Sequence, residues 1–275
     1  MQKGSYLFPL LSLVFICSCN NNHETPVTVT TKASEPDPVQ DISYTVTAKF
    51  PHDTLAFTEG FLFHDGKLFE STGSPDNMPQ SKSFWGIVDL NTGIINKKAE
   101  LDLEYFGEGI TILNDKLFQL TYKEHVGFVY DLKTFKQITR FSISTEEGWG
   151  MTTDGKNLIM SDGSNILTYL DPNTLKPIKK ITVSNSGFAE DNLNELEYIN
   201  GFIYANIWTK DYIVKIEPST GKVTGILNLS NITDEARRIH NNAEVLNGIA
   251  YDHAANKIYI TGKLWKNIYQ IDFSH

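Results

Sequence analysis

Glu59 and Glu108 are each followed by glycine, and each is preceded two positions earlier by a phenylalanine, Phe57 and Phe106. A carboxyl group among aromatic rings suits general acid/base catalysis, because the rings expel water and raise the acid's pKa toward that of an amine. Trp149, Trp208 and Tyr122 would extend such a wall, Asn194 would add an amide, and Lys263 an amine able to meet developing negative charge. These residues run from Phe57 to Lys263, so some regular architecture must gather them.

That architecture is written as a repeat. Short alternating apolar segments are separated by turn dipeptides, among them Asp65-Gly66, Asn114-Asp115, Asp154-Gly155 and Asn200-Gly201, which favour tight hairpins. Superposing the hairpins aligns Glu59-Gly60-Phe61, Glu108-Gly109-Ile110, Trp149-Gly150-Met151, Glu195-Leu196-Glu197 and Asn247-Gly248-Ile249, with spacings of 49, 41, 46 and 52 residues between the central positions. A second landmark, such as Asp131-Leu132-Lys133-Thr134 or Asp171-Pro172-Asn173-Thr174, ends the units. Periods of this length built from short strands predict an all-β, five-bladed β-propeller; evenly spaced strands would also suit a β-sandwich, but the repeat argues against one. The last unit stops after three strands, at Ile268 to Phe273, so Tyr44 to Lys49 should supply the fourth and close the ring, removing the exposed edge. Residues Thr233 to Ile239 read as an inserted helical turn capped at Thr233. In each unit the start of the first strand and the end of the second share one rim, which brings the carboxylates, amide, amine and rings to a single mouth of the channel.

Composition narrows the partners. The 275 residues are 40% hydrophobic, ample for a core, and 33 acidic against 24 basic residues give a net charge of −9, which disfavours nucleic acid. Lys3 and the apolar run Tyr6 to Ile16 resemble a secretory signal, and Ile16-Cys17-Ser18-Cys19 resembles a bacterial lipobox with Cys19 lipidated. The expected organisation is a signal peptide over 1–18, a lipidated cysteine and polar tether over 19–42, and the propeller over 43–275. The protein is then expected to be a monomer exported to the bacterial cell envelope, periplasmic or surface-facing, and bound to membrane only through its lipid. None of the 7 histidines forms a His-x-His or His-Glu-x-x-His pair, so no zinc mechanism is indicated.

Eight motifs in order resemble glutaminyl cyclases of the plant and bacterial type: Phe57-Thr58-Glu59-Gly60, Phe106 to Thr111, Gly148 to Met151, Ser161-Asp162-Gly163, Leu193 to Tyr198, Ala205 to Trp208, Asn247 to Ala250 and Thr261 to Trp265. The resemblance covers essentially 43–273. It implies a five-bladed propeller that converts N-terminal glutamine of peptides to pyroglutamate with release of ammonia, without zinc or another cofactor, a structural metal on the axis being left open. It also implies Glu108 as catalytic acid/base, Phe57, Phe106, Trp149 and Trp208 as aromatic walls, and Asn194 and Lys263 as polar contacts; the chemistry further leads us to expect Lys263 or an indole N–H to donate to the oxyanion and Asn194 to hold the glutaminyl backbone. Two departures bear on the rim. Glu59 stands where the family often has Gln, and Tyr122 where it often has Trp, while Ser74 to Phe84 replaces a short loop leading to an Arg. Two other functions fit the residues: a metal-dependent hydrolase holding Ca²⁺ on Glu59, Glu108, Asn194 and Asn247, or a peptide-binding module of the envelope without catalysis.

Overall fold

The computed structural model describes residues 38–78 and 81–275. The expected signal peptide, Cys19 and the tether as far as residue 37 lie outside them. Within them no helix is long and apolar enough to cross a membrane.

Four sheets of four antiparallel strands and one that gains a fifth strand make the five blades expected from the repeat. Their innermost strands, Thr58–His64, Gly107–Leu113, Met151–Thr153, Leu193–Ile199 and Leu246–Asp252, lie one against the next around a channel, the last returning to the first. Closure follows the sequence reading: Tyr44–Pro51 pairs antiparallel with Asn267–Phe273 as the outer strand of blade 5. Apolar side chains between neighbouring blades form five separate cores, one per blade interface, so the ring is held by burial between sheets rather than by one central core.

Both sequence landmarks have a physical cause. The glycines let inner strands approach closely: a Cβ on Gly109 would stand 2.5 Å from the Trp149 carbonyl oxygen, and one on Gly150 would stand 2.0 Å from that of Asn194. The aspartates close turns, with Asp131 accepting the Thr134 N–H at 2.7 Å and Asp171 that of Thr174 at 2.7 Å, as short acidic side chains do in turns.

Two boundaries move. Gln40–Asp41 pairs in parallel with Gly225 and Ile226 at the outer edge of blade 4, so sheet structure begins before residue 43; Ile42 donates its N–H to Ile226 at 2.8 Å and extends that edge. The inserted helix spans Ser230–Ile239 and not Thr233 to Ile239. Thr233 is buried inside it and its hydroxyl bonds back to the Leu229 carbonyl, while the Asn228 side chain accepts the Ser230 N–H at 3.0 Å. Burial of Ile232, Thr233 and Ala236 outweighs the capping preference of Thr.

At the seam of blades 5 and 1, His52 and Glu70 are completely buried. His52 Nδ1 faces the Trp265 carbonyl at 2.9 Å and must donate to it, while Nε2 faces the Glu70 carboxylate at 3.0 Å. Burial alone would lower the pKa of the ring, but the Glu70 carboxylate more than offsets this and the net direction is upward, toward the doubly protonated imidazolium. Thr58 donates to the same carboxylate at 2.7 Å, so the pair ties down the residue before Glu59.

Candidate active site

A β-bulge recurs where the chemistry lies. Register slips between Thr58 and Gly60, Gly107 and Ile110, Leu193 and Leu196, and Leu246 and Ile249, and the residues inside these slips are Glu59, Glu108-Gly109, Asn194-Glu195 and Asn247-Gly248. In blade 3 Trp149 and Gly150 both bond Ser161, whose carbonyl accepts the Trp149 N–H and whose N–H donates to Gly150. An extra residue re-aims side chains at a strand end, and here Glu59, Glu108, Trp149 and Asn194 turn toward a common mouth while Asn247 turns onto Glu59. The hairpin spacing aligns Glu59 with Gly73, but the bulge places Phe57 opposite Gly73, Phe106 opposite Tyr122 and Asn192 opposite Trp208.

A cavity of 630 Å³ opens at that mouth, lined by all nine sequence-predicted pocket residues: Phe57, Glu59, Phe106, Glu108, Tyr122, Trp149, Asn194, Trp208 and Lys263. The rings meet edge to face, Phe57 against Phe106 at 6.3 Å and Trp149 against Trp208 at 5.7 Å between centroids. Trp208 is the outermost, 43% exposed. Such packing is rigid and apolar, leaving few polar groups to orient a ligand.

Those polar groups are not equivalent. Lys263 Nζ donates to Glu59 at 2.6 Å and lies 4.5 Å from the Phe57 ring centroid, while Asn247 donates to the other Glu59 oxygen at 3.2 Å. Glu59 is therefore held inside the protein: burial raises its pKa, with Lys263 pulling the other way. Glu108 is 5% exposed, and its carboxyl makes no hydrogen bond among the described residues. Burial first, then repulsion from Glu59, holds that carboxyl well above the ordinary carboxylate range, with Lys263 opposing. The amide oxygen of Asn194 is buried without a partner among the described residues, a deficit that a ligand N–H would relieve.

The indoles differ as well. The Trp149 N–H donates to Glu147 at 2.8 Å, so of the two indoles expected to serve an oxyanion this one is already engaged. Glu147, Asp162, Asn192, Glu244 and Val245 also line the cavity and were not foreseen, because they lie outside the repeated landmark. Glu195, by contrast, belongs to the landmark but sits below the cavity, accepting the Ile249 and Phe61 N–H groups at 2.8 and 3.2 Å. Glu197 accepts that of Tyr251 at 2.9 Å. These carboxylates link blades 4, 5 and 1 across the channel; burial pushes Glu195 well above the carboxylate range and Glu197 up to about 8.

These directions set a pH profile of stability. His52, Glu108, Glu195 and Glu197 all have raised values, so the folded state holds protons the unfolded chain gives up, and stability falls as pH rises through those values. The turn aspartates Asp131 and Asp171 are lowered by hydrogen bonds to their turns and lose their contribution at acid pH. The melting temperature should peak near pH 5 (roughly, from the unperturbed carboxylate and imidazole values) and decline steadily toward alkaline pH; a scanning calorimetry series that is flat or rises over this range contradicts the assignment.

Among the described residues no three His, Cys, Asp or Glu side chains come together as metal ligands. The four residues considered for Ca²⁺ do not form a cage either: Glu59 is bonded to an ammonium group, which repels a cation, and Asn247 presents its NH₂ to Thr58 and Glu59.

Fold and site together define a closed propeller with a small-ligand pocket at one mouth. The family model described as glutamine cyclotransferase matches residues 17–273. A glutaminyl-peptide cyclotransferase of Arabidopsis thaliana is 42% identical over 228 residues, 82% of this chain and 70% of the relative. The crystal structure of Myxococcus xanthus glutaminyl cyclase superposes with a TM-score of 0.77 at 31% identity, covering 86% of this chain and 99% of that one. The chain belongs to the glutamine cyclotransferase family and is an enzyme of the transferase class.

Proposed function

We propose that this protein converts the N-terminal glutamine of peptides and proteins to pyroglutamate, releasing ammonia, with Glu108 as the proton carrier and without zinc. The observation that carries the reading is an unpartnered, buried Glu108 carboxyl of raised pKa in an aromatic cavity that also holds Lys263 and the orphaned Asn194 oxygen.

The reaction is intramolecular. The neutral α-amine attacks the side-chain amide carbon, a C–N bond closes a five-membered lactam, and the bond to the amide nitrogen breaks. One proton must leave the attacking nitrogen and reach the departing one. Glu108, ionised, takes it and then returns it, and a raised carboxyl pKa nearer that of an α-amine makes both transfers easier. The rings fold the glutamine side chain against its own amine and exclude water. Asn194 accepts a hydrogen bond from the substrate's nitrogen. Lys263 donates to the oxyanion with an N–H not used by Glu59, and the indole of Trp208, without a hydrogen-bond partner among the described residues, is the second donor.

Export and lipidation at Cys19 remain part of the reading, supported by Lys3, the apolar run and the Ile16-Cys17-Ser18-Cys19 sequence. The enzyme would then act as a monomer on peptides in the bacterial envelope.

Incubating the purified protein with a glutamine-initiated tripeptide should give a product lighter by one ammonia, at a rate unchanged by a chelator. Absence of product alongside measurable peptide binding would select the non-catalytic module, and loss of turnover on chelation a metal-dependent reaction.

A further inference from the structure

Beside the cavity that takes glutamine lies a second one of 580 Å³, walled by Thr54, Leu55, Asn77, Met78, the segment His240 to Glu244, and Leu264. The two share their partition. Glu244 lines both, Pro75 and Met78 of one loop line the first and the second, and Lys263 and Leu264 do the same from the other side. Glu244 is fixed in place, its N–H donating to the Lys263 carbonyl at 2.9 Å and its own carbonyl accepting the Trp265 indole at 3.0 Å. Its carboxylate, half-buried, has no hydrogen-bond or ion-pair partner among the described residues.

The geometry points to this second cavity as the subsite for the residues that follow the glutamine, with Glu244 selecting basic side chains there and rejecting acidic ones. The inference rests on the cyclase reading above. With the glutamine side chain in the aromatic cavity, the peptide must leave past the partition, and an extended chain advances about 3.3–3.6 Å per residue, which brings the second and third residues beside Glu244. Exposed Asn77, Asn241 and Asn242 offer amide groups to an extended backbone, and Leu55, 63% exposed, offers apolar contact to a side-chain stem. Asn77 and Met78 of this wall belong to the loop in which this chain departs from its family after Gly73.

The test compares kcat/KM for Gln-Lys-Ala, Gln-Ala-Ala and Gln-Glu-Ala with the wild type, Glu244→Gln and Glu244→Lys, reading ammonia release. A half-buried carboxylate attracts one charge and repels the other, each worth up to about fivefold, so the wild type should prefer Lys over Glu roughly tenfold. Glu244→Gln should bring that ratio close to one and Glu244→Lys should reverse it, while added salt should shrink the wild-type ratio. A wild type indifferent to the second residue, or a ratio that survives both substitutions, overturns the subsite. Failure to cyclise any of the three peptides overturns the cyclase reading instead.

Discussion

Glu108→Gln should lower kcat by about 10²–10⁴-fold, the span that general acid/base catalysis supplies, and should at the same time raise the melting temperature at neutral pH. The first effect follows because Gln keeps the shape and can neither take nor return a proton, so KM should change little. The second follows from linkage. Burial and Glu59 hold the Glu108 carboxyl well above its ordinary range, so the wild-type fold loses stability as pH rises beyond the unfolded carboxylate value, and an amide at this position does not. The difference in melting temperature between variant and wild type should therefore grow from acid to alkaline pH, as expected where an active site holds a destabilised group. Initial rates on a Gln-initiated peptide and melting curves at pH 5 and pH 8 (roughly the unperturbed carboxyl and α-amine values) measure both. Full turnover in a folded variant would remove Glu108 from the mechanism, and a pH-independent stability difference would remove the buried charge from its explanation.

Nearly the whole ring could be read from the chain because propeller blades repeat their constraints. Glycine recurs where inner strands touch, aspartate where a turn needs an acceptor, and the missing fourth strand of the last blade had one unassigned counterpart at the other end. Equivalent repeat positions then placed seven of the nine pocket residues on one rim, Phe57 and Phe106 being added by the family resemblance. What repetition could not distinguish is which way a residue faces within the bulge. Glu195 matches Glu108 in the landmark, yet one ties backbone N–H groups together and the other faces the cavity. Side-chain pairings were equally hidden: the bond from Lys263 to Glu59 joins residues 204 positions apart on adjoining blades, and the local one from Trp149 to Glu147 takes up an indole N–H reserved for substrate. Glu147 and Glu244 come from loops between blades, where no period exists to align them.

The Lys263–Glu59 pair yields the second large effect and separates two roles of one lysine. Lys263→Met should cost about 3–5 kcal/mol, the penalty for leaving a buried partner charge uncompensated, or roughly 10 °C in melting temperature for a domain of this size, unless Glu59 takes up a proton. It should also lower kcat by about 10²-fold or more if the ammonium meets the oxyanion. Glu59→Gln should cost less stability than Lys263→Met, because the Lys263 ammonium left behind is drawn to the Glu108 carboxylate, and with repulsion from Glu59 lost it should lower the pKa governing the Glu108 step. The double variant Lys263→Met/Glu59→Gln removes both charges of the pair together, so its melting temperature should recover most of the loss while its turnover stays low. Recovery of both would make Lys263 a support for Glu59 with no part in the chemistry. Recovery of neither would mean that the methionine disturbs the wall formed with Phe57, whose ring centroid lies 4.5 Å from the Lys263 nitrogen.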